Sequence, residues 1–492
     1  MRLFQPRSGR ERSPGRKPVS VNLANCERIG TSGRACVSDP LPLRGRPPLQ
    51  GGHYILRSHT PARVNRDIKG ATMNEDQERR NKIITFSLLF GTQLFSFMIR
   101  FVFGVVAPTL MELYHLSPRT MGYILSGWNW SYTAGLPLMG FIVDRFGPYI
   151  VLGVGSFVWG VSTMALPIAR AAVPLFLMRM VFGLGQTALI PAGAIAVSRG
   201  FSIKERARVI AVVFAGNQMG VAIGATVAAF ILASLGWPAV FYCTGGASLL
   251  MTLAWFCLYP DKRIGRQPAA HPDSRSSGNA QRIPWLSLFR RRSTWGIAFG
   301  QMGYLYAYFF FVSWLPGYFI LERKMTLLKS GIVAALPFWA GMLATLGGGW
   351  LADYLIQRGV STTASRKSII GAGLTGSTVL VIAAAYVEQG WLAVTLLTLC
   401  VGFLRLATGS VNSLPIDLAP PPMVGSLTGI QNCFGNIGGL LAPIVTGYMV
   451  NATGSFAGSF VVAGGMALFG AIAYTLILGH IEPGQAGKGI PL

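Results

Sequence analysis

The sequence predicts an all-α membrane protein with twelve transmembrane helices arranged as two six-helix halves. Three observations carry this. The chain is short of charge, it consists largely of apolar stretches each long enough to cross a bilayer, and one Gly-x-x-x-Asp spacing occurs twice at corresponding places. Of its 492 residues, 51% are hydrophobic and 12% charged, against about 25% charged in typical soluble chains. So few charges do not coat a soluble protein of this size. Lipid supplies the missing outer solvent, because apolar side chains face it without cost.

The formal net charge of +25 suggests nucleic acid until it is mapped. Residues 1–72 hold 14 Lys/Arg against 4 Asp/Glu, in a segment rich in Arg, Pro and Gly that cannot bury a core. It lacks the continuous apolar stretch of a signal peptide. Two readings stand for 1–72: a disordered basic tail, or upstream DNA translated from a start placed too early, with Met73 opening a more ordinary beginning. No nucleic-acid partner is expected. The six cysteines, Cys26, Cys36, Cys243, Cys257, Cys400 and Cys433, show no CxxC spacing, so neither zinc nor a disulfide framework is indicated, and no cofactor is expected.

A crossing needs roughly 20 apolar residues. The stretches fall at 83–110, 120–143, 150–168, 172–197, 209–235 and 239–258, then at 295–320, 331–356, 368–386, 391–410, 424–450 and 455–478. Residues 259–294, polar and basic, separate an N-terminal bundle (73–258) from a C-terminal bundle (295–480), and 481–492 form a tail. Lys and Arg in the loops set orientation, since positive loops stay in the cytoplasm. The side that holds residue 82 carries 17 of them and the other side 5, which places both ends of the bundle inside.

The halves echo each other. Gly140-x-x-x-Asp144-Arg145-Phe146-Gly147 ends the second span, and Gly349-x-x-x-Asp353 ends the eighth. Parallel repeats of this kind build many secondary transporters, with substrate held between the halves near the midplane. The two aspartates, with Gly140, Arg145, Gly147 and Gly349, read as gating residues. An Asp at a helix end pairs with Arg or with a helix N-terminus across the half-interface, Arg206 and Arg208 being available partners, and glycine lets helices approach closely.

Ionisable groups deep in a bilayer are costly and so point to function. All 17 acidic residues fall in the tail, in loops or at span ends. Three arginines fall within spans: Arg100, Arg179 and Arg405. At about 1.5 Å per residue, Arg100 lies about 15 Å and Arg179 about 10 Å below the outer ends of their spans. These positive charges have no carboxylate in reach of their depth. A guanidinium matches a carboxylate in bidentate geometry, so both are expected to bind an anionic cargo, the alternative being snorkelling or bonds to helix carbonyls. Arg405 lies nearer the inner end of its span, where snorkelling is easier, and either reading stands for it. Asn432 and Asn436, four apart on one helix face, and Gln218 are further candidates for contact with cargo, the alternative for Gln218 being a hydrogen bond between helices. The aromatic run Tyr304, Tyr306, Tyr308, Phe309 and Phe310 reads as packing rather than as cavity lining.

From about residue 80 to 480 the chain resembles the major facilitator superfamily, and within it the anion:cation symporter family of galactonate, hexuronate, glucarate and phthalate transporters and sialin. The segments that carry the likeness are WNWSYTAGLPLMGFIVDRFG, RMVFGLGQTALIPAG and GWPAVFYCTGG in the first half. The second half adds YFFFVSWLPGYFILERKMTLLKSGIVAALPFW and IDLAPPPMVGSLTGIQNCFGNIGGLLAPIVTGY. The resemblance implies secondary transport of a small organic anion by a monomer in a bacterial cytoplasmic membrane, with Arg100, Arg179 and Tyr132 facing substrate. It also exposes a departure. Proton-coupled members have an Asp before the first arginine and a Glu seven residues after the second; here those positions are Ile99 and Gln186. Gln186 is left as a neutral substrate-site residue, and exchange, uniport, sodium coupling or entry of a protonated acid remain beside proton symport. A drug or metabolite exporter is the nearest rival, but deep acids for cationic cargo are missing. A membrane enzyme would need a nucleophile or metal cluster at the surface, and none is legible.

Overall fold

The structure, a computed structural model, describes residues 61–261, 285–419 and 423–479. The expectations for residues 1–60, for 262–284 of the central loop and for the tail 481–492 fall outside the described residues. The backbone of 61–72, expected to lack regular structure, is helical and runs into the first span.

In lipid every peptide N–H and C=O must find its partner within the chain, so the apolar stretches fold as helices. Among the described residues eleven helices are long and apolar enough to cross a membrane, and one of them is two crossings. Pro118–Ala165 runs for 48 residues, about 70 Å of helix against about 30 Å of hydrocarbon. It breaks at Gly147, where φ 81° and ψ 161° leave the helical region for one that side chains with a Cβ rarely adopt. Split there, the spans are α1 Pro61–Leu113, α2 118–146, α3 148–165, α4 Ala172–Gly200, α5 Ile203–Leu235 and α6 Trp237–Leu258. The second half has α7 Arg292–Leu321, α8 Leu327–Gln357, α9 Thr362–Tyr386, α10 Gly390–Leu418, α11 Val424–Thr453 and α12 Ala457–Ile477.

Two spans are interrupted in mid-course. In α4 the helix stops at Gln186 and resumes at Leu189; in α10 it stops at Leu406 and resumes at Thr408. The hydroxyl just past each break bonds back to a carbonyl three residues earlier, Thr187 Oγ1 to Leu184 O at 2.6 Å and Thr408 Oγ1 to Arg405 O at 2.6 Å. Hydropathy gave no sign of these breaks, because both pieces of each span are apolar.

The face holding Gly147, the start of α1 and the ends of α4 and α10 is the terminal face, and the face holding the turns after Leu113 and Leu235 the opposite face. Three acids at or just past span ends, Asp261, Asp417 and Glu322, are tied up in structure. Arg199 pairs with Asp261 at 3.5 Å and Arg366 with Asp417 at 3.4 Å on the terminal face. Glu322, ending α7 on the opposite face, accepts from Phe456 N at 2.6 Å and Ser455 Oγ at 3.3 Å, which caps α12.

The halves meet where α2 packs on α11 and α5 on α8. A Cβ on Gly122 would stand 2.5 Å from Pro443 O, and one on Gly331 would stand 2.7 Å from Ala225 O. Only glycine allows these approaches, both toward the opposite face. On α11 the face that meets α2 is buried at Asn436, Pro443 and Gly447. One to three turns toward the terminal face, Asn432, Gly429 and Gly425 on that side are exposed, and nothing lies within 4 Å of where a Cβ would stand on either glycine. The gap between the halves is thus sealed on the opposite face and widens toward the terminal face.

Candidate functional site

Arg100 on α1 is 6% exposed, and every group it meets is neutral. Its Nε donates to Gln186 Oε1 at 2.5 Å. Its guanidinium carbon lies 4.4 Å from the Phe97 ring centroid, 4.2 Å from that of Trp128 and 5.2 Å from that of Tyr132. Each such ring contact contributes about 0.5–2 kcal/mol and the hydrogen bond about 1.5–3 kcal/mol, against a desolvation cost of several kcal/mol for a buried ion. The box makes the cation tolerable without neutralising it. Gln186 is held from its other end, its amide nitrogen donating to Ser96 O at 3.1 Å and Ser96 Oγ at 2.7 Å.

Arg179 on α4 is 2% exposed. It makes one hydrogen bond, Nη2 to Leu125 O at 3.3 Å, and its Nε has no partner. Phe103 and Phe182 lie at 4.6 and 5.3 Å from its guanidinium carbon. A buried N–H without a partner is costly, so Arg179 is the least satisfied cation of the site. It sits against α2, where a Cβ on Gly127 would stand 3.0 Å from the Arg179 Cβ.

Arg405 does not snorkel toward the inner end of its span. It stands in the last turn of the first piece of α10 with its guanidinium turned inward. Nη1 donates to Tyr304 Oη at 2.9 Å, and the Tyr308 ring centroid lies 4.7 Å from its guanidinium carbon. Gln218 of α5 reaches it from the other half. With the Gln218 amide turned so that its oxygen faces the cation, that oxygen accepts from Arg405 Nε at 2.7 Å and Nη2 at 3.1 Å while its nitrogen donates to Tyr308 Oη at 2.9 Å. Gln218 therefore bonds between helices, one of its two expected roles, and does so across the half-interface. Tyr304 also meets Thr408 Oγ1 at 2.9 Å, at the break in α10.

A second link between the halves closes the roof of the gap. Asn129 Nδ2 on α2 donates to Asn436 O on α11 at 2.9 Å, and the rings of Trp128 and Phe309 lie 5.4 Å apart across the same seam. Asn436 is buried and its side chain turns back to Asn432 O at 2.8 Å. Asn432 is exposed, bonded to Thr428 O at 2.9 Å. Of the pair, Asn432 thus faces open space and Asn436 marks where that space ends.

The gating residues lie apart from the arginines. Asp144, Arg145 and Asp353 are exposed, and among the described residues no ion pair joins either aspartate to a cation. Nothing lies within 4 Å of a Cβ placed on Gly140 or Gly349. Arg206, an expected latch partner, instead donates to Ser198 O at 2.6 Å and Phe201 O at 3.0 Å at the end of α4; the Arg208 side chain lies outside the described ones. A cavity of about 630 Å³ on the terminal face is lined by charges already paired, among them Lys82, Glu78, Arg199 and Asp261, and touches none of the three arginines.

The structure gathers Arg100, Gln186 and Tyr132 into one cluster with Arg179 beside it on α4, and Gln218 and Arg405 into another. Sequence reasoning missed Ser96, Trp128, Asn129, Tyr304 and Tyr308. The signal for the last two was present: two hydroxyl-bearing rings four apart on one helix face, within a run otherwise read as packing. Tyr306, between them on another face, is buried and makes no side-chain hydrogen bond among the described residues, in keeping with packing.

Residues 89–403 match the Major Facilitator Superfamily. The chain is 28% identical over 430 residues to the D-galactonate transporter of Escherichia coli O6:H1, an alignment that covers 83% of this chain and 98% of that protein. It is 29% identical over 400 residues to the hexuronate transporter of Bacillus subtilis, covering 80% and 94%. Among solved structures it is similar to an inward-facing, occupied bacterial homologue of the human lysosomal transporter Spinster, with a TM-score of 0.67 at 15% identity over 80% of this chain and 96% of that one. That likeness shows the fold alone. A twelve-span helical membrane protein in two halves, with buried cations between and beside them and this family match over most of its length, is no enzyme of the bilayer: the chain belongs to the major facilitator superfamily, and its likeness is to the anion:cation symporter-like members.

Proposed function

We propose that this chain moves a small organic anion, a sugar acid or another carboxylate, across the cytoplasmic membrane by alternating access to a site between its halves. The observation that carries the reading is the Arg100 box: a buried guanidinium bonded and stacked on neutral groups, next to Arg179, whose Nε has no hydrogen-bond partner among the described residues. An anion entering there would supply the missing counter-charge, and a carboxylate would do so with two hydrogen bonds to one fork. The relatives are named as carriers of such acids.

In this reading the terminal face is cytoplasmic, which the excess of Lys and Arg in its loops supports, and the sealed opposite face makes the conformation inward-open. Asp144, Arg145 and Asp353, with no ion pair across the interface among the described residues, would engage when the terminal face closes. Ile99 and Gln186 leave the first half without the carboxylates of proton-coupled members, which favours exchange or uniport over proton symport.

The test is uptake of labelled galactonate, glucuronate and other acids into proteoliposomes holding the purified protein, with and without preloaded acid and imposed ion gradients. Saturable uptake of an acid, accelerated by preloading, is expected. Transport of a neutral or cationic solute with no binding of any acid would overturn the reading.

A further inference from the structure

The two amide-held arginines form a pattern that a single-carboxylate cargo leaves half used. Arg100 rests on the oxygen of Gln186, at the break in α4; Arg405, with the Gln218 amide turned so that its oxygen faces the cation, rests on that oxygen in the last turn before the break in α10. Interrupted helices at matching places in two repeats are where transporters of this build hold charged cargo. Each guanidinium also lies over aromatic faces, and the rings of Trp128, Phe309 and Tyr308 run in contact from one to the other, with centroids 5.4 and 5.5 Å apart. Arg405 differs from Arg179 in keeping part of its surface uncovered.

We propose that Arg405 is a second anion pole and that the preferred cargo is a dianion, one carboxylate met by the Arg100 and Arg179 pair in the first half and the other by Arg405 in the second. This rests on the anion-carrier reading above and narrows it. The reason is charge. Among the described residues no acid pairs with any of the three arginines; a monoanion leaves two of three cations uncompensated in a low-dielectric interior, and a dianion leaves one. Binding at Arg405 also acts on the seam itself. A carboxylate there takes the N–H groups that now bond Gln218, so the arriving cargo exchanges a neutral link between the halves for a charged one made through itself.

The experiment is equilibrium binding to the detergent-solubilised full-length protein, comparing acids that share a carbon skeleton, galactonate with galactarate and butyrate with succinate, or that share a ring, benzoate with phthalate, each fully ionised. In every pair that binds, the dianion should bind at least tenfold tighter to the unaltered protein, a comparison that does not depend on a variant folding. Arg405→Gln should abolish that preference, the dianion losing at least tenfold more affinity than the monoanion, and Arg405→Lys should restore part of it. Equal affinity for both members of the pairs would overturn the second pole and leave the carrier reading intact. Equal loss for both members in Arg405→Gln would show Arg405 to be a structural strut. Binding of no acid at all would overturn the carrier reading and this one with it.

Discussion

The Gln186 side chain is fixed at both ends, its oxygen 2.5 Å from Arg100 Nε and its nitrogen 2.7 Å from Ser96 Oγ. An amide suits this place because it offers an acceptor to the cation and donors to the serine. A carboxylate would pair with Arg100 but face the Ser96 carbonyl oxygen, which also accepts, and only its protonated form would satisfy both.

The first prediction follows. In the unaltered protein no group beside Arg100 gains or loses a proton between about pH 6 and 8, so affinity for a fully ionised acid should change by less than about twofold over that range. Gln186→Glu should weaken binding at pH 8 by about tenfold, a difference of ~1.4 kcal/mol, and affinity should recover as pH falls and the new carboxyl is protonated. Binding isotherms across the range check both; a variant as flat as the parent would refute the argument.

Arg179 supplies the second. Its single bond to Leu125 O and unpartnered Nε leave most of the fork for cargo. Arg179→Lys keeps the charge and loses the fork. Loss of one charge-assisted hydrogen bond, about 1.5–3 kcal/mol, should weaken binding by about ten- to a hundredfold with thermal stability in detergent nearly unchanged. Undiminished affinity in a well-folded variant would remove Arg179 from the site.

The third concerns the seal. Gly447 approaches α2 so closely that a Cβ would clash with the Pro118 carbonyl oxygen. Gly447→Leu therefore should hold the opposite face open, abolish exchange and leave membrane insertion normal. Spin-label distances between the opposite-face ends of α2 and α11 should lengthen; unchanged distances together with retained transport would mean that the seal is not tight.

The fourth is a pH effect on stability at the terminal face. Hydrogen bonds from Ser202, with the Lys82 ammonium beside it, hold the Glu205 carboxyl below the ordinary glutamate value. A depressed folded-state value means that this contribution is fully present above the unfolded value of about 4.3 and fades as pH falls through the folded one. The unaltered protein should lose more thermal stability on acidification below about pH 4.5 than Glu205→Gln does; parallel curves would show that the group contributes nothing.

The sequence by itself determined the class, the number of crossings and the halves, because hydrophobicity and span length answer to the thickness of a bilayer and leave little choice. It also located Arg100 and Arg179, since a charge in an apolar stretch stands out wherever the helix turns. Tertiary structure alone decided partners. That Gln186 meets Arg100, that Gln218 reaches Arg405 from the other half, and that Tyr304 and Tyr308 serve a guanidinium depend on which helix faces which, and hydropathy is blind to facing when neighbouring helices and lipid are equally apolar. The breaks at Thr187 and Ala407 were hidden for the same reason: the residues on both sides are those of a continuous span, and only the packing around the two arginines shows why the helices stop there.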